Sequence, residues 1–237
     1  DYQREGRPAM SGQSFLGLDG TLLDFTQAEA IALTKALTEM DAPAHQAVLD
    51  RYHVINQRQW ELLEEGVLTR AEVLVSRFEI LFRELGLVRD AAETCARYEG
   101  HLAEGHIFLP GAPELLEMLA PRYQLHLASN GAAFVQRQRL ESAGILPYFQ
   151  NIFISEEMGA DKPKPEFFHL CFSAIPGFDP AKALMVGDSL TSDIRGGRNA
   201  GIRTCWFNPK DKPARPDIRP DHTIRRLEEL PPLLELL

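Results

Sequence analysis

Four short segments carry the residues able to do chemistry, each placed after a predicted strand. The first reads Phe15-Leu16-Gly17-Leu18-Asp19-Gly20-Thr21, an apolar run leading into a carboxylate and a Gly-Thr turn. The second is Ser129-Asn130-Gly131. A hydroxyl and backbone N–H groups at a strand end can hold phosphate oxygens without adding negative charge. The third is Lys162-Pro163-Lys164-Pro165, at the start of a helix. The fourth is Val186-Gly187-Asp188-Ser189, with Asp193 five residues after Asp188. Glycine at 187 ends the strand and lets the backbone approach closely. Singly, each segment is an ordinary turn or cap. Their order, and their shared place after strands, carries the information.

The elements that must position them follow from hydrophobic period. Residues 13–18 read as a short buried strand. From 24 to 108 apolar residues recur at three and four, as in Ala28, Ile31, Ala32 and Leu33, then Val73, Leu74, Phe78, Leu81 and Phe82. Gly66 and Gly86 fall at plausible helix ends. After Pro110-Gly111 the pattern alternates. Strands are predicted at 124–128, 152–154, 183–186, 203–207 and 222–224. Helices are predicted at 132–143, 165–174 and 190–200, the first and last closed by Gly144 and Gly201. Such alternation implies an α/β fold, a Rossmann-like parallel sheet covered on both faces. In that architecture ligands bind beyond the carboxyl ends of the strands. The expected layout is an α/β core from 13–23 and 109–237, with a helical cap, 24–108, inserted after the first strand. Residues 1–12 are expected to be a disordered extension, with Met10 a natural start.

The chain has 237 residues, enough for one α/β domain and a smaller one. Hydrophobic residues make up 44%, which suits a folded chain. A net charge of −9 argues against a nucleic acid polymer as partner. No apolar run reaches the roughly 20 residues of a membrane span, and the polar N-terminus does not read as a signal peptide. Cys95, Cys171 and Cys205 are odd in number and far apart, with no zinc spacing or disulfide framework, so a cytoplasmic location is expected. The seven histidines form no metal-binding pair, and His126, inside a predicted strand, reads as a packed or edge residue.

Taken together the four segments resemble the signatures of the haloacid dehalogenase-like (HAD) phosphatases from about Ser14 to the C-terminus. The resemblance implies magnesium-dependent phosphomonoester hydrolysis through an aspartyl-phosphate. Asp19 would be the general acid and base, Ser129 and Asn130 would bind phosphate, and Lys162 would bridge phosphate and nucleophile. Mg2+ would be held by the backbone carbonyl of Asp19 and by the Asp188 carboxylate, with Asp193 behind them. A nearer likeness is to the pyrimidine 5′-nucleotidase branch. It is carried by Asn56, Trp60, Glu65-Gly66 and Arg77-Phe78, by Ile154-Ser155-Glu156-Glu157-Met158-Gly159, and by Asp193-Ile194 through Gly201-Ile202 with Cys205-Trp206. It implies a nucleoside monophosphate as substrate, handled by a monomer or homodimer. For Trp60 and Phe78, helix packing competes with base stacking.

The chain departs from the family pattern at one position. The family's Asp-x-Asp places its nucleophile, also a magnesium ligand, at position 17, and here that residue is Gly17. Asp24 lies too far along to substitute. Three readings stay open: a phosphatase impaired at its nucleophile, a pseudophosphatase that binds a phosphorylated ligand or a protein partner without turnover, and a hydrolase in which water attacks directly.

Overall fold

In the computed structural model, residues 12–237 are described. The extension expected at 1–12 therefore lies outside the described residues except for Gly12, whose carbonyl accepts the Gln124 N–H at 3.2 Å. Six strands form one sheet: β1 (Gln13–Leu16), β2 (Gln124–Ser129), β3 (Asn151–Ile154), β4 (Ala183–Gly187), β5 (Arg203–Phe207) and β6 (His222–Ile224). All pairs are parallel, in the order β3-β2-β1-β4-β5-β6. The helices are α1 (Phe25–Glu39), α2 (Gln46–Glu64), α3 (Arg70–Leu85), α4 (Ala91–Ala103), α5 (Ala112–Leu119), α6 (Ala133–Ala143), α7 (Ser155–Met158), α8 (Pro165–Ser173), α9 (Arg195–Asn199) and α10 (Leu230–Leu236). The fold is α/β, a parallel sheet flanked by helices.

The chain divides into two compact units. One comprises the described residues up to Asp24, Phe108–Ala133 and Gly144–Leu237, and contains the whole sheet. Its strands are buried almost throughout because a parallel sheet has no wet face. Phe15, Ala128, Phe153 and Met185 pack with Phe167, Phe168 and Cys171 of α8. His126 is buried in this sheet. Asn151 Nδ2 donates to its Nδ1 at 3.1 Å, which leaves Nε2 to donate to Gln13 Oε1 at 2.6 Å. That is a neutral imidazole, and burial pushes its pKa down to about 4.

The other unit comprises Phe25–Ile107 and Phe134–Ala143. Its core is Leu33, Leu37, Tyr52, Phe78, Leu81, Phe82 and Tyr98. Thr69 and Asp90 cap α3 and α4, each accepting a backbone N–H, and Gly86 ends α3 in the left-handed conformation. Phe78 is packed between Tyr52 and Tyr98 at 5.2 and 5.7 Å, so core packing accounts for it. Trp60 is half-buried, its indole N–H on Asn56 Oδ1 at 3.1 Å and the Arg70 guanidinium over its ring.

Most boundaries differ from the sequence reading by a single residue, and three differ for a physical reason. β1 stops at Leu16 because the Leu18 carbonyl turns to accept the N–H groups of Thr21, Leu22 and Leu23. One helical turn, α7, intervenes between β3 and Lys162. The helix expected from 190 opens as a wide π turn, Leu190–Ile194, before α9.

His126 gives stability a pH dependence. Its pKa falls from 6.5 unfolded to about 4 folded, so the unfolded chain binds the proton first. Its contribution is complete above pH 6.5 and is lost as the pH falls toward 4, at about 1.4 kcal/mol per pH unit. Chemical denaturation of the protein and of His126→Asn across this range should give a shallower slope for the variant; equal slopes would refute the assignment.

Candidate active site

The site is built where β1 and β4 end side by side. Leu16 lies opposite Val186 in register, and the Gly17 N–H donates to the Val186 carbonyl at 3.0 Å. Gly17 and Gly187 are thus adjacent at the carboxyl edge, at the point where the strand order reverses. Beyond Gly17 the chain folds into a tight loop in which the Gly20 N–H donates to the Leu23 carbonyl at 2.8 Å.

Two glycines in this cluster are dictated by carboxylates. Gly20 has φ 76°, and a Cβ there would stand 2.3 Å from Asp188 Oδ2. A Cβ on Gly187 would stand 2.0 Å from Asp193 Oδ2. Asp188 is half-buried, with Thr21 Oγ1 donating to its Oδ1 at 3.4 Å. The protein around it, then the charge of Asp193, push its carboxyl up to about 7 against the opposing pull of Lys212 and Lys162. Behind it the Trp206 indole N–H donates to the Asp188 carbonyl at 2.9 Å.

Asp193 and Lys162 form a buried pair, Nζ to Oδ1 at 2.6 Å, with 3% and 5% of the side chains exposed. The same ammonium donates to the Ala128 carbonyl at 2.7 Å, and the Ser189 N–H donates to Asp193 Oδ2 at 3.1 Å. The Asn130 amide clamps the lysine's backbone, donating to the Lys162 carbonyl and accepting its N–H, both at 2.9 Å. That side chain is therefore occupied. Ser129 ends β2, buried. The Ser155 hydroxyl accepts the Gly131 N–H at 3.2 Å, and Glu156 accepts the Ala133 N–H at 3.1 Å.

Of the sequence-derived residues, the sheet brings Gly17, Lys162, Asp188 and Asp193 into one cluster, with Ser129 and Asn130 on the neighbouring strand end and Asp19 in the loop beside Gly20. Thr21 and Trp206, which touch Asp188, and Ser155, which props the turn at 131, belong to the same machinery. Sequence motifs contained all three without indicating what they contact. The donor set suits Mg2+ in kind, since hard oxygens and an under-compensated carboxylate attract a hard cation. It is small in number: among the described residues no three His, Cys, Asp or Glu side chains converge as a ready metal cluster.

A parallel sheet with a lysine and carboxylates gathered at its switch point is the frame of an α/β hydrolytic enzyme. Residues 15–201 match the model of the haloacid dehalogenase-like hydrolases, and the chain belongs to that family. It is 41% identical over 219 residues to the HAD-hydrolase YfnB of Bacillus subtilis, covering 92% of this chain and 93% of that one. The crystal structure of YfnB bound to magnesium superposes with a TM-score of 0.91 at 40% identity, over 95% of this chain and 99% of that chain. The pyrimidine 5′-nucleotidase PynA of Streptococcus pneumoniae is 39% identical over 90% of each chain. The pyrimidine 5′-nucleotidase YjjG of Escherichia coli is 33% identical over 77% of this chain and 80% of its own.

The Lys162–Asp193 pair can be tested directly. Lys162→Met or Asp193→Leu alone leaves a buried charge without its partner and is expected to cost about 3–5 kcal/mol. The double variant should be less destabilised than the two singles added together. A double-mutant cycle by chemical denaturation checks this; strict additivity would mean the pair is not coupled.

Proposed function

We propose that this chain is a magnesium-dependent phosphomonoesterase of nucleotidase type whose turnover is limited by the glycine at position 17. The observation that carries the reading is the intact set of Lys162, Asp188 and Asp193 around a strand end whose backbone accepts an ordinary side chain. Gly17 is not in the left-handed region, and its Cβ direction meets Thr21 Oγ1 at 3.0 Å and Asp193 Oδ2 at 3.7 Å. A Cβ there calls for a small shift of the Thr21 hydroxyl. Similarity to two enzymes named pyrimidine 5′-nucleotidases supports a pyrimidine nucleoside monophosphate as substrate.

Each residue has a physical task. Lys162 has three ammonium protons, of which two go to Ala128 and Asp193, leaving one for a phosphate oxygen. The Ser129 hydroxyl and the backbone around Asn130 hold further oxygens. With an aspartate at 17, Asp19 would give its proton to the leaving 5′ oxygen and then take one from the attacking water. Asp193 orients Lys162. Magnesium would be held by Asp188 and the Asp19 carbonyl, and would supply positive charge to the phosphoryl oxygens. Absence of a carboxylate at 17 removes the covalent route.

Gly17→Asp is expected to raise phosphate release from dUMP, dTMP or UMP by several powers of ten, with magnesium present. Equal rates for the two chains would refute the role given to position 17.

A second reading is supported by the same cluster: a protein that binds the monophosphate and holds it. Without a carboxylate at 17, a phosphate dianion escapes a repulsion of roughly 4 kcal/mol per charge pair before screening, at about 4 Å and an effective dielectric near 20. When magnesium is scarce, calorimetry should show this chain binding dUMP or UMP at least as tightly as Gly17→Asp, and gaining less when magnesium is added. A folded chain that binds neither nucleotide in either condition would count against a retained phosphate site.

A further inference from the structure

We propose that the strand end at Gly17 is a binding site for a small free carboxylate, formate above all, which can supply the attacking oxygen that the chain lacks. The inference rests on the reading of position 17 as the nucleophile position. Three observations carry it.

First, Gly17 lies outside the left-handed region, and a Cβ there would have Thr21 Oγ1, Thr21 Cβ and Asp193 Oδ2 as its nearest atoms at 3.0, 3.6 and 3.7 Å, so a group seated there needs the Thr21 hydroxyl to give by a few tenths of an ångström. Second, the charge there can accept an anion. Asp193 would repel one, but its Oδ1 is matched by Lys162 at 2.6 Å and its Oδ2 by the Ser189 N–H at 3.1 Å. The third ammonium proton of Lys162 can be shared, as a three-centre bond, between a phosphate oxygen and a carboxylate oxygen. Third, size selects among carboxylates. Acetate has the atoms of an aspartate side chain, but its methyl is not bonded to the backbone. It must stand at van der Waals distance, about 3.5–4.0 Å, where Cβ would stand at about 1.5 Å. Its carboxylate is thereby pushed outward by about 2 Å. Formate has no methyl and can seat its carboxylate close to where the aspartate's would be.

The chemistry balances without an oxidant or reductant. A formate oxygen attacks phosphorus and the bond from phosphorus to the 5′ oxygen breaks. Asp19 donates its proton to that oxygen, releasing the nucleoside. The product is formyl phosphate, a mixed anhydride. Water then cleaves it to formate and inorganic phosphate, the carboxylate of Asp19 taking up the water proton when this occurs in the site.

The test measures phosphate release from UMP, with magnesium, as sodium formate replaces sodium chloride at constant ionic strength. Hydroxylamine is added to capture formyl phosphate as formohydroxamate. The chain is expected to show a saturable rise on the order of tenfold or more, with formohydroxamate appearing and acetate less effective. The rescued rate should stay far below that of Gly17→Asp, because a tethered group can act at an effective concentration on the order of 10⁵ M or higher. Gly17→Asp should not respond to formate, and Gly17→Ala, whose methyl occupies the site, should lose the response. If Gly17→Asp is active while formate leaves this chain unchanged, the carboxylate site is overturned and the reading of position 17 stands. A rise that Gly17→Ala shows equally also overturns it. If Gly17→Asp is folded by circular dichroism yet inactive, the reading of position 17 falls and takes this proposal with it.

Discussion

Lys162 and Asp193 are charges that water would solvate far better than protein does, and each is tolerable in the interior only because the other is 2.6 Å away. The pair also fixes geometry. The lysine comes from the segment after β3, its second acceptor is a carbonyl near the end of β2, and the aspartate comes from the turn after β4. One ammonium therefore ties three separate chain segments to a single point at the carboxyl edge of the sheet. The Asn130 amide strengthens the tie by gripping both backbone groups of Lys162. Asp188, next along, has no such dedicated partner, and its carboxyl is driven up to about 7. The cluster is arranged so that one carboxylate is neutralised inside the protein while the other is left for a cation or a proton to answer.

Much of this was legible in the sequence because it depends on local pattern. Apolar runs separated by helical periods mark a parallel α/β sheet, and the residues following those runs lie at its carboxyl edge. That reasoning places Gly17, Ser129, Asp188 and Asp193 without any knowledge of strand order. What it cannot supply is contact across the chain. Thr21 meets Asp188 over 167 residues, and Trp206 reaches the Asp188 carbonyl from the next strand. The Asn130 side-chain amide, to which the sequence reading gave no task, is spent on Lys162, a partner 32 residues away. Short elements were hidden for a different reason. The four residues of α7 are too few to display a period, and the π turn at Leu190–Ile194 contains Asp193, whose contacts to Lys162 and the Ser189 N–H no local pattern reveals.

The helical unit shows the same limit. Period alone marks Phe78 and Leu81 as core, and they are buried there. It does not show that Arg77, beside them, is buried too, stacked on Tyr98 at 5.0 Å and donating to Asn56 Oδ1 at 3.0 Å. Asn56 also donates to the buried Glu29 at 3.1 Å and accepts from Trp60, so one amide links a cation, an anion and an indole. The stretch Asn56, Trp60, Arg77-Phe78 thus has a structural account inside its own unit: a polar network that satisfies charges the helices would otherwise bury alone.

The three glycines of the site separate by a steric criterion, and that separation bears on what position 17 is for. At Gly20 and Gly187 a Cβ would fall at 2.3 and 2.0 Å from carboxylate oxygens of Asp188 and Asp193. No rotamer change relieves such an overlap without displacing a carboxylate, so those two glycines are required by the architecture. At Gly17 the nearest contact is 3.0 Å, to the hydroxyl of the buried Thr21, and the backbone lies outside the left-handed region. A Cβ there asks the Thr21 hydroxyl to give by a few tenths of an ångström, where at the other two positions a carboxylate would have to leave its place. The steric criterion thus sets position 17 apart: the glycines at 20 and 187 are fixed by the carboxylates they face, while at 17 the limit is one buried threonine hydroxyl.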